Sequence, residues 1–229
     1  MKIAIITARG GSKRIPHKNI KEFCGKPIIL YSIEAALKSE FFDEVMVSTD
    51  SAEIADIARK AGAKVPFMRS EKTSNDYAGT NDVIAEVLEE YEKRGKTFDS
   101  FCCIYPTAPF ITAEKLRESA KLLDDEYTYT VVPVVQYSYP PQRSIVIRDG
   151  FVEMQFPEIT EARSQDLEPI YHDCGQFYWG KTKPFIQSKI LIGNKTRPFV
   201  LPESEVQDID NEEDWKLAEL KFNFLQNKL

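Results

Sequence analysis

Short apolar runs followed by segments of helical period recur through the first half of this chain, and that alternation restricts the fold more than any other feature. Lys2–Ala8 is rich in Ile and ends in a Gly-containing loop, as expected of a strand buried in a parallel sheet. Pro27 stands at a helix start, and Ile28, Ile29, Ile33, Ala36 and Leu37 then recur at helical spacing. Glu44–Thr49 reads as a strand. Ser51 caps the helix after it, whose inner face carries Ile54, Ile57, Ala58 and Ala61 and which Gly62 ends. Lys64–Met68 reads as a further strand and 81–94 as a helix closed by Gly95. Ser100–Tyr105 is a strand stopped by Pro106, and 112–123 is a helix. This order predicts an α/β three-layer sandwich with a mostly parallel sheet covered on both faces. Ligands of such sheets bind beyond the carboxyl ends of the strands, where Arg9, Thr49-Asp50 and Pro106–Pro109 all lie.

The pattern changes after Tyr129. Thr130–Gln136 and Phe151–Phe156 have strand character, but Tyr137-Ser138-Tyr139-Pro140-Pro141 interrupts them, and no helix-length pattern follows until the C-terminus. Residues 134–170 are therefore read as an excursion, a lid or dimerisation arm, inserted within one domain spanning 1–229. Gln176–Gly180 and Arg197–Leu201 return to strand character, and Asn211 caps a last helix with Glu212, Glu213 and Asp214 at its positive end.

Charge narrows the function classes. The net charge of −6 argues against a general nucleic-acid binder. Yet Lys2, Arg9, Lys13, Arg14, Lys18 and Lys21 all precede the first acidic residue, Glu22, which suggests a local site for an anionic ligand. Cys24, Cys102, Cys103 and Cys174 lack the spacing of a zinc site, with His17 and His172 the only histidines, so idle thiols are expected. No apolar stretch approaches the roughly 18 residues of a membrane span. The N-terminal apolar run is too short for a signal peptide, so a cytoplasmic location is expected.

Two constellations carry chemistry. In Ala8-Arg9-Gly10-Gly11-Ser12-Lys13-Arg14, adjacent glycines directly after a buried strand let backbone N–H groups approach phosphate. Arg9, Lys13 and Lys18 can neutralise a triphosphate, and Ser12 adds a hydroxyl. The pattern is neither GxxxxGK[ST] nor GxGxxG, which disfavours ATPase and dehydrogenase readings. In Asp208-Ile209-Asp210, residues two apart in an extended segment face one side, giving a carboxylate pair suited to Mg²⁺ shared with substrate phosphates. A polar strand end leading into a helix cap is the structural alternative.

With these motifs in hand, the chain resembles the cytidylyltransferases that activate nonulosonic (sialic-type) acids as CMP-sugars. The resemblance rests on Ala8–Arg14 with Lys18-Asn19, on Val47-Ser48-Thr49-Asp50, on Pro106-Thr107-Ala108-Pro109 and on Asp208-Ile209-Asp210. Arg163-Ser164-Gln165-Asp166 and Tyr171-His172-Asp173-Cys174-Gly175-Gln176-Phe177-Tyr178 are similar to its pseudaminic acid branch. The resemblance implies a fold like that of nucleotide-diphospho-sugar transferases, CTP and a nonulosonic acid as ligands, Mg²⁺ as cofactor and a homodimer. By the same implication Ala8, Arg9, Gly10, Ser12, Lys13 and Lys18 grip the CTP phosphates, with Asn19 beside the nucleotide. Arg69 and Thr80 meet cytosine and ribose, and Asp208 and Asp210 bind the metal. Arg143, Arg163, His172 and Gln176 fall on the sugar side, with the two arginines toward the sugar carboxylate.

Tyr105 and Ile111 stand where the sialic acid members typically carry Gln and Arg, near the implied sugar pocket. That disfavours N-acetylneuraminic acid, since an unpaired buried polar group is costly. The implied reaction is an in-line displacement at the α-phosphorus of CTP, with Arg9, Lys13, Lys18, Asp208 and Asp210 supplying most of the catalysis through charge and position. Alternatives are the same chemistry on legionaminic acid, N-acetylneuraminic acid or Kdo, a nucleotide-sugar-dependent glycosyltransferase, or an inactive nucleotide sensor.

Overall fold

The computed structural model describes residues 1–159 and 161–227. In chain order the strands are β1 (Lys2–Thr7), β2 (Glu22–Phe23), β3 (Lys26–Pro27), β4 (Glu44–Ser48), β5 (Ser100–Ile104), β6 (Thr130–Gln136), β7 (Ile145–Arg148), β8 (Phe151–Met154), β9 (Tyr171–Asp173), β10 (Phe177–Lys181) and β11 (Thr196–Val200). The helices are α1 (Ile29–Lys38), α2 (Ala52–Lys60), α3 (Glu71–Ser74), α4 (Thr80–Lys93), α5 (Ala113–Lys121), α6 (Thr182–Ser188) and α7 (Glu212–Gln226).

The main sheet has the order β11-β6-β10-β5-β1-β4, with β9 also paired to β6. Strand β1 runs parallel to both β4 and β5, and β11 runs parallel to β6. Only β10, wedged antiparallel between β5 and β6, and the short β9 break the parallel pattern. Alternation along β1 explains the layers. Ala4 and Ile6 pack with α1, α2 and α5 on one face, while Ile3 and Ile5 pack against α4 on the other. With both faces covered, β4 and β5 are buried at every position, as their near-continuous apolar sequences require.

Close packing at the β5–β10 pair depends on one glycine. Gly180 lies opposite Phe101, and a Cβ built there would overlap the Phe101 ring. That ring is fully buried and sits edge-on to Phe185 at 4.9 Å.

Several local features follow the sequence reading. The Ser51 hydroxyl caps α2, Thr112 caps α5, and Asn211 caps α7 within a capping box with Asp214. Gly62 and Gly95 take positive φ where helices end. Other features differ. The stretch Lys64–Met68 is not a strand: Lys64 makes an isolated bridge to Met46, and Pro66 has no N–H to continue the ladder. The chain turns there instead and delivers Arg69, whose N–H donates to the Thr49 carbonyl at 2.8 Å. Pro27 belongs to the small β2–β3 pair, and α1 starts at Ile29. Helix α6 was not expected, because Pro184 masks it, yet proline is tolerated in a first helical turn. The excursion holds an unforeseen hairpin, β7–β8, whose turn residues Asp149 and Gly150 both have positive φ, the signature of a type I′ turn.

Candidate active site

Parallel pairing of β4, β1 and β5 brings their carboxyl ends to one edge. There a cleft of ≈ 570 Å³ opens. Its walls include Arg9, Ser12, Lys13, Arg14, Lys18 and Asn19 from the first loop, Arg69 and Thr80 from the β4–α4 side, Tyr105–Thr107 after β5, and Asp210. Residues far apart in sequence thus meet as the alternating pattern expected.

Gly10 acts differently from the expectation. The Gly10 N–H donates to Asp50 Oδ1 at 2.8 Å, and a Cβ at Gly10 would come within 3.1 Å of Ser51 Cβ. Gly10 is therefore needed chiefly for close packing against the end of β4. Ala8 is wholly buried, its N–H donating to the Ser48 carbonyl, and does not line the cleft. Asn19 is buried and its amide donates to the Arg9 carbonyl at 2.8 Å, tying the two ends of the loop together. The cationic side chains face inward to the cleft, where they meet an acid that sequence reasoning missed. Asp76 pairs with Arg9 at 2.8 Å and with Lys13. These two cations hold its carboxyl below the usual range. An aspartate in a Ser/Asn-rich stretch gave no sequence signal of this role.

The carboxylate pair has the predicted alternation, with Ile209 buried between Asp208 and Asp210. The N–H of Asp210 donates to Asp214 Oδ2 at 2.9 Å, so the N-terminal box of α7 fixes where the pair sits. Lys18 Nζ donates to the Ile209 carbonyl at 2.6 Å and feels both acids. Burial lowers the Lys18 pKa despite those attractive charges. Desolvation, then the charge of Asp210, raises that of Asp208, which Lys18 partly offsets. Asp210 also pairs with Arg14 at 2.8 Å. Two mutually repelling carboxylates beside a triphosphate-grade cluster of cations fit a divalent ion that takes its other ligands from substrate phosphate. Among the described residues, no group of three or more His, Cys, Asp or Glu side chains stands ready to hold a metal by itself.

Arg69 is buried and donates to Ser48 Oγ at 3.0 Å and the Ser48 carbonyl at 2.6 Å. Desolvation lowers its pKa, with Asp50 acting against that. Thr80 Oγ1 and Tyr105 Oη lie 2.9 Å apart. Of the residues expected on the sugar side, Tyr105 lines this cleft and the others do not. Arg143 donates to the Ala162 carbonyl and Arg163 pairs with Asp166 at 2.7 Å, both within the excursion. His172 is exposed, packs on Tyr137 and does not line the cleft, nor does His17. Gln176 is buried, its amide donating to the Glu205 carbonyl at 2.8 Å. Ile111 is a core side chain rather than a pocket one. The four cysteines are unbridged, and burial pushes the Cys174 thiol up to about 12.

A basic cleft of ≈ 570 Å³ at the carboxyl end of a parallel α/β sheet, with Asp210 in its wall, is the site of a nucleotidyltransferase-type enzyme. Residues 3–144 match the cytidylyltransferase family, and the chain belongs to it. It is 38% identical to a pseudaminic acid cytidylyltransferase of Campylobacter jejuni, over 96% of this chain and 95% of that one. It is 36% identical to a CMP-N,N'-diacetyllegionaminic acid synthase of Legionella pneumophila, over 99% and 98%. In fold it resembles a CMP:2-keto-3-deoxy-manno-octonic acid synthetase solved in complex with CTP, with a TM-score of 0.71, 18% identity and 99% coverage of both chains.

Proposed function

We propose that this enzyme transfers CMP from CTP to the anomeric hydroxyl of a nonulosonic acid, pseudaminic acid in the first instance. The observation that carries the reading is the convergence of Arg9, Ser12, Lys13 and Lys18 with Asp210 in one cleft, in a chain most of whose length aligns with a pseudaminic acid cytidylyltransferase. The anomeric oxygen forms a bond to the α-phosphorus and gives up its proton to water, while the bond from that phosphorus to the β-phosphate oxygen breaks, releasing pyrophosphate. Arg9 and Lys13 bind the β- and γ-phosphates, and Lys18, fixed on the Ile209 carbonyl, holds charge beside the reacting phosphate. Asp208 and Asp210 would hold Mg²⁺, which when bound would offset the charge of the leaving pyrophosphate. Arg69 and Thr80 position the nucleoside.

One face of the β7–β8 hairpin is apolar and exposed, with Ile145, Ile147 and its cross-strand partner Val152, and this supports its reading as a dimerisation arm. Such an arm would carry Arg143 and Arg163 toward the sugar end of the neighbouring subunit's cleft, which accounts for their distance from this one.

Pyrophosphate release, measured with each nucleoside triphosphate against a panel of nonulosonic acids with and without Mg²⁺, tests the reading. Release with CTP and pseudaminic acid, dependent on Mg²⁺, is expected. Turnover with UTP or ATP but not CTP would sink it, and preference for N,N'-diacetyllegionaminic acid would move the sugar assignment alone.

A further inference from the structure

Lys115 carries its charge where its own helix does not favour it. It lies in the first turn of α5, its N–H donating to the Thr112 hydroxyl that caps the helix. A cation there faces the positive end of the helix dipole, so the charge is a local cost. The side chain is only 15% exposed, which adds the cost of desolvating an ammonium group. What offsets both is tertiary. Lys115 Nζ donates to the Phe110 carbonyl at 2.8 Å and pairs with Glu205 Oε2 at 2.6 Å.

Those two partners come from different parts of the site. Phe110 lies in the segment between β5 and α5, whose residues Tyr105, Pro106 and Thr107 line the cleft. Glu205 ends the short turn Glu203–Glu205, which leads directly into the acid pair. A second link joins the same two segments through the backbone. The Glu205 carbonyl accepts from the buried Gln176 amide at 2.8 Å, and the Gln176 backbone carbonyl accepts from the Tyr105 N–H at 2.8 Å. Next to Gln176, Gly175 has a φ of 60° and approaches Asp208 so closely that a Cβ there would lie 3.5 Å from its Cγ. Glu205 is thus tied to the wall after β5 by both its carboxylate and its carbonyl, and the acid pair follows it in the chain.

We propose that Lys115, acting through Glu205, is a positioning residue that fixes the Asp208–Asp210 pair against the cleft wall after β5. This rests on the cytidylyl reading, in which that pair holds the divalent ion beside the triphosphate. The ion must meet carboxylate and phosphate oxygens at once, and Mg²⁺ demands near-ideal octahedral geometry, so a small displacement of the acids costs metal affinity. The triphosphate cations of the first loop are untouched by this link. Lys221 of α7 donates to the Val206 carbonyl at 2.7 Å, so the segment keeps a second anchor when Lys115 is changed.

The test uses full-length wild type, Lys115→Met, Glu205→Ala and the double variant, with a thermal melt confirming that each is folded. Two affinities are measured: CTP alone in EDTA, and Mn²⁺ for the enzyme–CTP complex, from the electron paramagnetic resonance signal of free Mn²⁺ with enzyme in excess over CTP. Each single variant should weaken Mn²⁺ roughly 10-fold, the low end for an outer partner of a metal site, because Lys115 touches neither acid. Metal-free CTP should bind within about twofold of wild type, which a general loosening of the cleft would not allow. The double variant should lose no more than the weaker single, since both break one link. Unchanged Mn²⁺ affinity in the single variants, CTP affinity falling in step with it, or additive losses in the double variant overturns the inference. If Lys115→Met does not fold, unchanged Mn²⁺ affinity in Glu205→Ala overturns it. Unchanged Mn²⁺ affinity in Asp208→Ala overturns the metal reading instead, and this inference with it.

Discussion

Glu86 holds the wall of the cleft that runs from Arg69 to Ala78, and its removal should loosen substrate binding before it affects turnover. From α4 its carboxylate accepts from the Ser70 N–H at 2.9 Å, Ser70 Oγ at 2.6 Å and Thr73 Oγ1 at 2.5 Å. Hydrogen bonds to charged groups are worth roughly 1.5–3 kcal/mol each. Glu86 is only half-buried, so solvent screening argues for the low end of that range and against simple addition. Glu86→Ala should therefore cost about 2–4 kcal/mol. Glu86→Gln should cost about 1 kcal/mol, because its oxygen can keep the Ser70 N–H while the two hydroxyls turn to accept from its NH₂ group.

Burial opposes ionisation of Glu86, but the Ser70 and Thr73 donors outweigh it and hold the carboxyl below its ordinary value of 4.5. A depressed pKa means the folded state binds fewer protons than the unfolded state. Its stabilisation is present above the ordinary value and lost as pH falls through the folded one. Urea unfolding followed by fluorescence of Trp179 and Trp215, both buried, gives the stabilities. The wild type should lose stability faster than Glu86→Gln between about pH 5 and pH 3. In steady-state assays, KM for the triphosphate should rise more in Glu86→Ala than kcat falls. Equal costs for Ala and Gln, or parallel pH slopes for wild type and Gln, would refute the reasoning.

Three further outcomes are expected. Gly180→Ala should destabilise the fold by about 1–3 kcal/mol in urea unfolding, because the new methyl group overlaps the Phe101 ring, itself held against Phe185. Asp76→Asn removes the internal anion facing Arg9 and Lys13, so KM for the triphosphate should fall, and by more at low ionic strength than at high. Cys174, buried with its thiol pushed up to about 12, should resist alkylation in the native protein at neutral pH and react only on unfolding, as a thiol-trapping mass measurement would show.

Much of the layered core was legible because period and burial coincide. Strand β1 alternates cleanly between faces, and α2 and α7 begin at residues whose side chains make the caps their identity suggests. The misreadings have physical causes. Lys64–Met68 has strand composition, but Pro66 cannot donate to a ladder, and tertiary need for Arg69 at the end of β4 overrides the pattern. Helix α6 carries a proline in its first turn, so punctuation that usually forbids a helix hid one. At the site, the residues with a charge-dense local motif were found, whereas Asp76 meets Arg9 and Lys13 across long sequence separations and has no periodicity to betray its role. Gln176 and Ile111, placed near the sugar by the resemblance, lie in the loops before β10 and α5 and turn inward, where Gln176 donates to the Glu205 carbonyl and Ile111 packs in the core.

The ligand-free cleft is already neutralised from within. Arg9 and Lys13 are paired with Asp76, Arg14 with Asp210, and Lys18 lies among Asp210, Asp208 and the Ile209 carbonyl. Triphosphate binding is therefore an exchange of anions rather than the filling of a bare cationic hole. Part of each new charge–charge contact is offset by the internal contact it replaces, which keeps affinity moderate. The same pairing lets a chain of net charge −6 concentrate its cations in the first loop without destabilising the empty fold. On the proposed reading, phosphate drawing Arg14 away would leave Asp210 without its pairing cation beside Asp208. The carboxylate pair would then carry an excess of negative charge that a divalent ion would relieve, so substrate binding would strengthen the proposed metal site.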